Sequence, residues 1–355
     1  MASTAVLTDW SPQFQGDLPN TRFETGMIMT RTPLRISFAG GGTDLAAFYE
    51  QDYGAVFSTA INKYVYVTVK QHSRLFTESI RLNYARTEWV RKVDEIENDI
   101  ARECLRFLEI DPPIYVSTVA DLPASTGLGG SSAFCVGLLH ALHIYRKERV
   151  SAGQLAEEAT HIEVDVLKQP IGKQDQYAAA FGGLNLFRFN RGGAVSVEPQ
   201  RISRSKLETL FDHLLLFWTG TQRDASSVLN EQQKNTSARM DHLKAMRSQA
   251  HNLQRMMSNG AVDFDAFGAL LHRGWQFKKG LAAAITSNSI DGWYERALEA
   301  GASGGKICGA GAGGFLLFLV KPEHQDAVRD ALSELIEVRV KPEVQGSCIL
   351  MPGVQ

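Results

Sequence analysis

The chain has 355 residues, of which 21% are charged and 44% hydrophobic, with a formal net charge of -2; this is the profile of a globular protein long enough for two domains. So even a balance gives no long-range attraction to nucleic acid or an acidic membrane, and without a run of about 18 apolar residues no membrane-spanning helix is expected. Four cysteines, at 104, 135, 308 and 348, form no C-x-x-C pair, which argues against structural zinc and fits reduced thiols in a cytoplasm.

Residues 1–26 mix Pro, Gly, Thr and Asp with isolated aromatics and no period. They read as a poorly ordered arm, and neither a basic start nor a continuous apolar segment marks a signal peptide. The fold is expected to begin near Met27. Residues 34–39 read as a strand, broken by Gly40, Gly41 and Gly42, after which Thr43 and Asp44 cap a short helix to Glu50. Residues 56–60 and 64–70, rich in β-branched and aromatic side chains, read as a strand pair joined through Ile61-Asn62-Lys63. A helix over 94–108 carries Ile96, Ile100, Leu105 and Leu108 and stops at Asp111-Pro112-Pro113, and 114–119 is the next strand.

The stretch Pro123-Ala124-Ser125-Thr126-Gly127-Leu128-Gly129-Gly130-Ser131-Ser132-Ala133 then leads into an apolar helix to about Arg146. Its glycines let successive N–H groups converge on one anion, and the helix N-terminus points its partial positive charge to the same place. Taken alone, a serine-capped glycine loop before a core helix would explain it as well. Ser151 opens a second helix with Leu155, Ala159, Ile162, Val166 and Leu167 on one side. His161, Glu163 and Asp165 lie on that helix, where alternate positions diverge by about 200°, so a zinc triad is not expected. After a break at Pro170 comes Gly172-Lys173-Gln174-Asp175-Gln176-Tyr177, followed by a strand over 184–189 and a turn at 190–193.

Beyond this turn the pattern becomes more helical. A strand over 214–219 and a turn at Gly220 precede a long polar helix over 225–257, with 264–285 as its antiparallel partner. Strands over 304–308 and 315–320 flank Gly309-Ala310-Gly311-Ala312-Gly313-Gly314; a helix over 324–336 and a strand over 347–351 close the chain. That last glycine cluster matches G-x-G-x-x-G, but it leads into a strand and not a helix, which argues against a dinucleotide fold. No G-x-x-x-x-G-K-[ST] occurs, which excludes a P-loop NTPase.

Three glycine clusters, Arg35-Ile36-Ser37-Phe38-Ala39-Gly40-Gly41-Gly42-Thr43-Asp44, 123–133 and 306–314, suggest one shared site. Their order resembles that of the GHMP kinases, and among the branches that of bacterial D-glycero-D-manno-heptose 7-phosphate kinases. The resemblance implies an α/β (α+β) two-domain fold, a mixed sheet with helices on one face plus a helix-rich C-terminal domain, divided as arm 1–26, nucleotide domain 27–195 and C-terminal domain 196–355. It implies ATP with Mg²⁺ and a sugar phosphate acceptor, in the cytoplasm, with no nucleic acid or membrane partner and the oligomeric state left open. The product would serve nucleotide-activated heptose synthesis. Asp175 and Arg35 would be catalytic; Pro123, Gly127, Leu128, Gly129, Gly130, Ser131, Ser132 and Ala133 would hold ATP. Asp44, Gly41, Gly42, Thr43, Lys173, Gln174, Gly309 and Gly311 would line the acceptor pocket, and Arg223, after the turn at Gly220, is the candidate for the acceptor's phosphate. Glu163 and Ser132 would hold the metal; the loop is one residue longer than the family pattern, and Ser132 keeps the spacing to Ala133. Gly41 and Gly42 replace the bulkier acidic and histidine pair of galactokinases, which points to the heptose or fucose branches. A fucose- or galactose-like acceptor and a non-catalytic nucleotide-binding regulator stay as alternatives; retention of Asp175, Arg35 and Glu163 argues against the regulator.

Overall fold

The computed structural model describes residues 26–222, 225–258 and 260–353, so all of the expected arm except Gly26 lies outside the described residues. A mixed sheet is built on two long strands, β1 (Ile28–Ala39) and β2 (Gly54–Gln71), which run antiparallel. To these are added β3 (Ile80–Asn83), β4 (Thr87–Val90), β5 (Ile114–Ala120), β6 (Leu184–Phe189), β7 (Val195–Pro199) and β12 (Cys348–Pro352). The order is β12-β1-β2-β5-β3-β4, with β6 on the first half of β2 and β7 beyond it; only β3 and β5 pair in parallel.

Residues 61–63, expected to form a turn, instead continue β2. The register against β1 slips between Pro33 and Leu34, opposite this point. The bulge lets β2 change partners, from β6 over residues 54–59 to β5 over residues 65–71. Strands β3, β4 and β7 carry no signal strong enough to have been read, being only four or five residues long.

Helix α1 (Ala46–Tyr49) is shorter than expected, and its N-cap is Leu45 without a side-chain cap; Thr43 and Asp44 are engaged elsewhere. Helix α2 (Asp99–Phe107) starts at Asn98, whose side chain accepts the Ala101 N–H, and not at 94. The central helix α3 (Gly130–Tyr145) is buried over almost its whole length. It lies between β1 and β2 on one side and α2, α4 (Ala152–Thr160) and α5 (Gln174–Phe181) on the other, which is why its sequence is apolar all round and not striped.

The second half begins with α6 (Arg204–Asp212), which was not expected, and builds an antiparallel sheet in the order β11-β8-β10-β9 from β8 (Leu214–Trp218), β9 (Ala302–Ile307), β10 (Phe315–Val320) and β11 (Ile336–Glu337). The long helix expected over 225–257 is two, α7 (Ala225–Asn235) and α8 (Met240–Ser258), separated by a tight turn at Ser237–Arg239. Thr236 donates its hydroxyl to the Gln232 carbonyl at 3.1 Å, a back-bond that bends helices and here accompanies the break. Helix α9 (Phe264–Lys279), shorter than the expected 264–285, packs against α8, and α10 (Asn288–Glu299) and α11 (Gln325–Ala331) complete the layer. Strand β12 then returns to the outer edge of β1 in the first sheet.

Candidate active site

The floor of the site is the end of β1. Extended backbone sends Leu34, Ile36 and Phe38 into the core and turns Arg35 and Ser37 to the opposite face. Arg35 donates from Nε and Nη2 to Oδ1 and Oδ2 of Asp175 at 2.7 and 2.8 Å, and from Nη1 to the Gly127 carbonyl at 2.6 Å. One side chain thus ties together β1, the glycine loop and the first turn of α5. Burial by itself would lower the Arg35 pKa, but the Asp175 charge and hydrogen bonds outweigh it and raise the pKa above its ordinary value. The result is a two-pronged ion pair, the strong form of arginine–carboxylate contact.

Asp44 sits beside this pair, 2% exposed. Its carboxylate accepts the Gly42 N–H at 2.8 Å and the Gln174 side-chain amide at 3.0 Å, and burial together with the Asp175 charge raises its pKa. The Gln174 Oε1 atom is buried without a hydrogen-bond partner. Arg35, Ser37, Gly41, Gly42, Asp44, Gln174, Asp175 and Gly309 line one cleft, whose other wall comes from Leu229 and Gln232 on α7 and Met246 on α8.

Above the cleft lies the glycine loop. Gly127 and Gly129 take left-handed φ of +82° and +81°, and α3 starts at once, so that the N–H groups of its first turn have no partner within the helix. The third glycine cluster braces this loop from behind. A Cβ at Gly127 would stand 2.6 Å from the Cys308 carbonyl, and one at Gly309 would overlap Gly127 Cα. The two loops therefore meet backbone to backbone, which only glycine allows.

Behind the loop, α4 runs on into a wider turn over His161–Val166, in which the Leu167 N–H reaches five residues back to Ile162 at 2.9 Å. Such single wide turns are frequent at functional sites. This one holds Glu163 fully buried, accepting from Ser131 Oγ at 2.7 Å and Gln176 Nε2 at 2.7 Å. Burial pushes the Glu163 carboxyl up to about 7 against the hydrogen bonds from Ser132, Ser131 and Gln176. His161 and Asp165 face solvent and bond each other at 3.2 Å, away from Glu163. Among the described residues no cluster of three His, Cys, Asp or Glu is placed to hold a metal by itself. A buried carboxylate and a serine hydroxyl under an anion-binding loop are, however, a fitting oxygen donor set for a hard divalent cation. Of the two serines, Ser131 is exposed and Ser132 is buried.

Of the remaining expected residues, Pro123 is exposed at the start of the loop, while Leu128 and Ala133 are buried beneath it. The Leu128 carbonyl accepts the Arg35 N–H at 3.0 Å. Three expected acceptor residues are not brought to the cleft. The Thr43 hydroxyl bonds the Gly40 and Ala55 carbonyls at 2.7 and 3.1 Å, tying the loop to β2. Lys173 donates to the Gly193 carbonyl at 2.8 Å and lies over the Tyr49 ring, and Gly311 packs on the backbone of Ile285. Arg223 lies outside the described residues. Conversely, sequence reasoning passed over Ser37, Lys278, Lys306, Gln232 and Met246, which also line the cleft. Lys306 was discernible as the one basic residue in the apolar strand leading to the third glycine cluster; Lys278, half of a Lys-Lys pair at the end of α9, carried no signal.

Residues 93–183 match the family described as GHMP kinases N terminal domain, and residues 250–337 the family described as GHMP kinases C terminal. The chain is 30% identical over 305 residues to the D-glycero-alpha-D-manno-heptose 7-phosphate kinase of Campylobacter jejuni, an alignment covering 83% of this chain and 90% of that one. Its fold is similar to that of a D-glycero-D-manno-heptose 1-phosphate kinase from Bacteroides thetaiotaomicron, with a TM-score of 0.74 at 24% identity over 91% of this chain and 99% of the other. It is likewise similar to the Lactococcus lactis galactokinase complexed with galactose, with a TM-score of 0.72 at 18% identity over 91% and 95% of the two chains. At those identities the two structural likenesses speak to fold alone.

Proposed function

Because the chain belongs to the GHMP kinase family, we propose that it is an ATP-dependent sugar kinase whose acceptor is a heptose phosphate, D-glycero-D-manno-heptose 7-phosphate, taken at its anomeric hydroxyl. The observation that carries the reading is the pair of a buried Arg35 with a half-buried Asp175 at the junction of glycine loop and cleft. Phosphoryl transfer needs little covalent work from a protein and much positioning and charge stabilisation. A carboxylate held at both oxygens by one guanidinium, 24% exposed to the cleft, is suited to accept or orient the attacking hydroxyl's proton. The same arginine supplies positive charge next to the transferring group.

In this reading Gly127, Leu128, Gly129, Gly130, Ser131, Ser132 and Ala133, with Pro123 at the edge, hold the ATP phosphates on the N-terminus of α3. Asp44 and the Gln174 amide take sugar hydroxyls, and Gly41 and Gly42 leave them room. Glu163 with Ser132 or Ser131 would hold Mg²⁺, which would supply charge neutralisation for the bound triphosphate. We read 27–195 as the nucleotide half and 196–355 as the half that closes on the acceptor, with β12 returning to the first. Among the described residues no helix is long and apolar enough to cross a membrane, and a reaction that draws on ATP and a phosphorylated sugar suits the cytoplasm. The acceptor is read from the heptose 7-phosphate kinase relative.

The test is ADP release over a panel of sugars and sugar phosphates. Heptose 7-phosphate should give the highest kcat/KM, whereas a better result with galactose or fucose would overturn the acceptor. Asp175→Asn should lower kcat by about 10² to 10⁴ with ATP affinity little changed, the range for a positioned acid or base. Turnover within a few fold of the parent would remove Asp175 from the chemistry.

A further inference from the structure

Three buried polar groups in the cleft have no part in the machinery described so far. Lys278, in the last turn of α9, is 6% exposed, and Lys306, on β9, is 8% exposed. Each gives a hydrogen bond to a main-chain carbonyl, Lys278 to Gly309 and Lys306 to Ser37 at 2.7 Å. A carbonyl satisfies one of the three donors of an ammonium and does not neutralise its charge. Neither lysine forms an ion pair among the described residues. Ser37 is 6% exposed and its hydroxyl has no hydrogen-bond partner. All three line the same cleft as Arg35, Asp44 and Asp175.

Buried ammonium groups without a counter-ion are costly and uncommon, as is a buried hydroxyl left unbonded. Together they describe the complement of an absent group. Two ammonium ions and a hydroxyl donor match a ligand carrying close to two negative charges and several acceptor oxygens. A neutral sugar rim would instead need the mixed donors and acceptors that Asp44 and Gln174 already present. The group is also not the one being transferred, since the glycine loop, Arg35 and Asp175 stand at that end. Ser37 is two residues from Arg35 on the same face of β1, about 7 Å along the strand, roughly the reach of a sugar ring and its exocyclic arm. The Arg35 guanidinium acts on both lysines, and the carboxylate whose charge acts on Lys278 is Asp44, on the sugar side.

We propose that Lys278, Lys306 and Ser37 form the subsite for the phosphate that the acceptor already carries, and so make the enzyme select a phosphorylated over an unphosphorylated sugar. This rests on the kinase reading above and deepens it. It gives the cleft floor the role that the sequence by itself suggested for Arg223. Burial pulls the lysines down, Lys278 to about 7 and Lys306 to about 8, so in the empty site their charge is only partly present, and a phosphate dianion would draw protons onto both.

The experiment compares kcat/KM for heptose 7-phosphate and for unphosphorylated heptose in the parent, Lys278→Met, Lys306→Met and Ser37→Ala. Loss of a charge-assisted hydrogen bond from a lysine should lower the ratio of the two by about ten- to a hundredfold, and loss of the serine hydroxyl by about three- to tenfold. A residue that merely supports the cleft would lower both constants together and leave the ratio where it was. Ser37→Ala removes a hydroxyl with no partner in the protein, so it keeps the fold and carries the test should a lysine variant not fold. An unchanged ratio in Lys278→Met, or in Ser37→Ala if Lys278→Met is not obtained folded, overturns the subsite. A parent that does not prefer heptose 7-phosphate overturns the acceptor reading itself, and does so before any variant is made.

Discussion

Arg35 holds both oxygens of Asp175, and Arg35 tolerates burial only because Asp175 is there. Removing either partner strands a charge, and the guanidinium left behind is the more deeply buried of the two, so Asp175→Asn should cost stability as well as turnover, at least as much as Arg35→Met does. Glu163 stands in a different position, buried with hydrogen-bond donors but no cation, and its carboxyl is pushed up to about 7. Glu163→Gln keeps the shape and removes the charge. The Mg²⁺ concentration for half activity should then rise by about tenfold or more, and an unchanged metal titration would move the ligand elsewhere. The lysines give a pH signature. Lys278 faces Arg35 on β1, Asp44, and Lys306 and Cys308 around the third glycine cluster, and loses its proton at about 7; Lys306 does so at about 8. A phosphate dianion needs both protonated, so KM for heptose 7-phosphate should climb as pH rises from 7 to 9. Below about 6 it should climb again as the phosphate itself gains a proton. KM for unphosphorylated heptose measured over the same range should lack the upper limb; if it shows the same climb, the lysines are not reading the phosphate.

Among the elements, the glycine loop and the third cluster work as a stacked pair. Gly309, at φ +68°, sits against Gly127 so closely that a Cβ has no place. Gly309→Ala should push the loop off the N-terminus of α3, raising KM for ATP and costing about 1 to 3 kcal/mol of stability from left-handed strain and overlap. An alanine variant with the parent's KM for ATP would show that the two loops are not coupled. The break between α7 and α8 matters to the site for a similar geometric reason. On a straight helix over 225–257, Gln232 and Met246 would share a face but stand about 21 Å apart along it, whereas the break at Ser237–Arg239 lets both line one cleft. The wide turn at 161–166 carries Glu163 buried, while His161 and Asp165, on the opposite side of the helix, face water.

Among the described residues the last strand returns to the first, because β12 pairs with the outer edge of β1 over residues 28–31. Ser347, just before it, bonds the Thr32 hydroxyl at 2.9 Å and His140 Nδ1 at 3.0 Å, and both of those residues are buried. Deleting residues 346–355 would leave an open sheet edge and two unsatisfied groups behind α3. The expected loss is about 3 kcal/mol or more in a urea titration, and an unshifted midpoint would mean that the strand adds nothing to the fold. This return was not legible in the sequence, where 347–351 reads as a strand without a partner. Arg35, Asp44, Glu163 and Asp175 stood out there only through the resemblance to a family; what could be read locally was the glycine loop and its helix, the Ser151 cap, and the strands at 114–119, 184–189 and 315–320. Each depends on backbone geometry or side-chain period within a few residues, and such preferences are written where they act. The joining of Arg35 to Asp175 across 140 positions, the bulge that keeps β2 whole, the removal of Thr43 and Lys173 from the cleft, and the placing of Lys278 and Lys306 within it were decided by packing. A lysine looks the same in sequence whether it ends in water or in a buried cleft, and only the tertiary structure determines which solvent its charge meets.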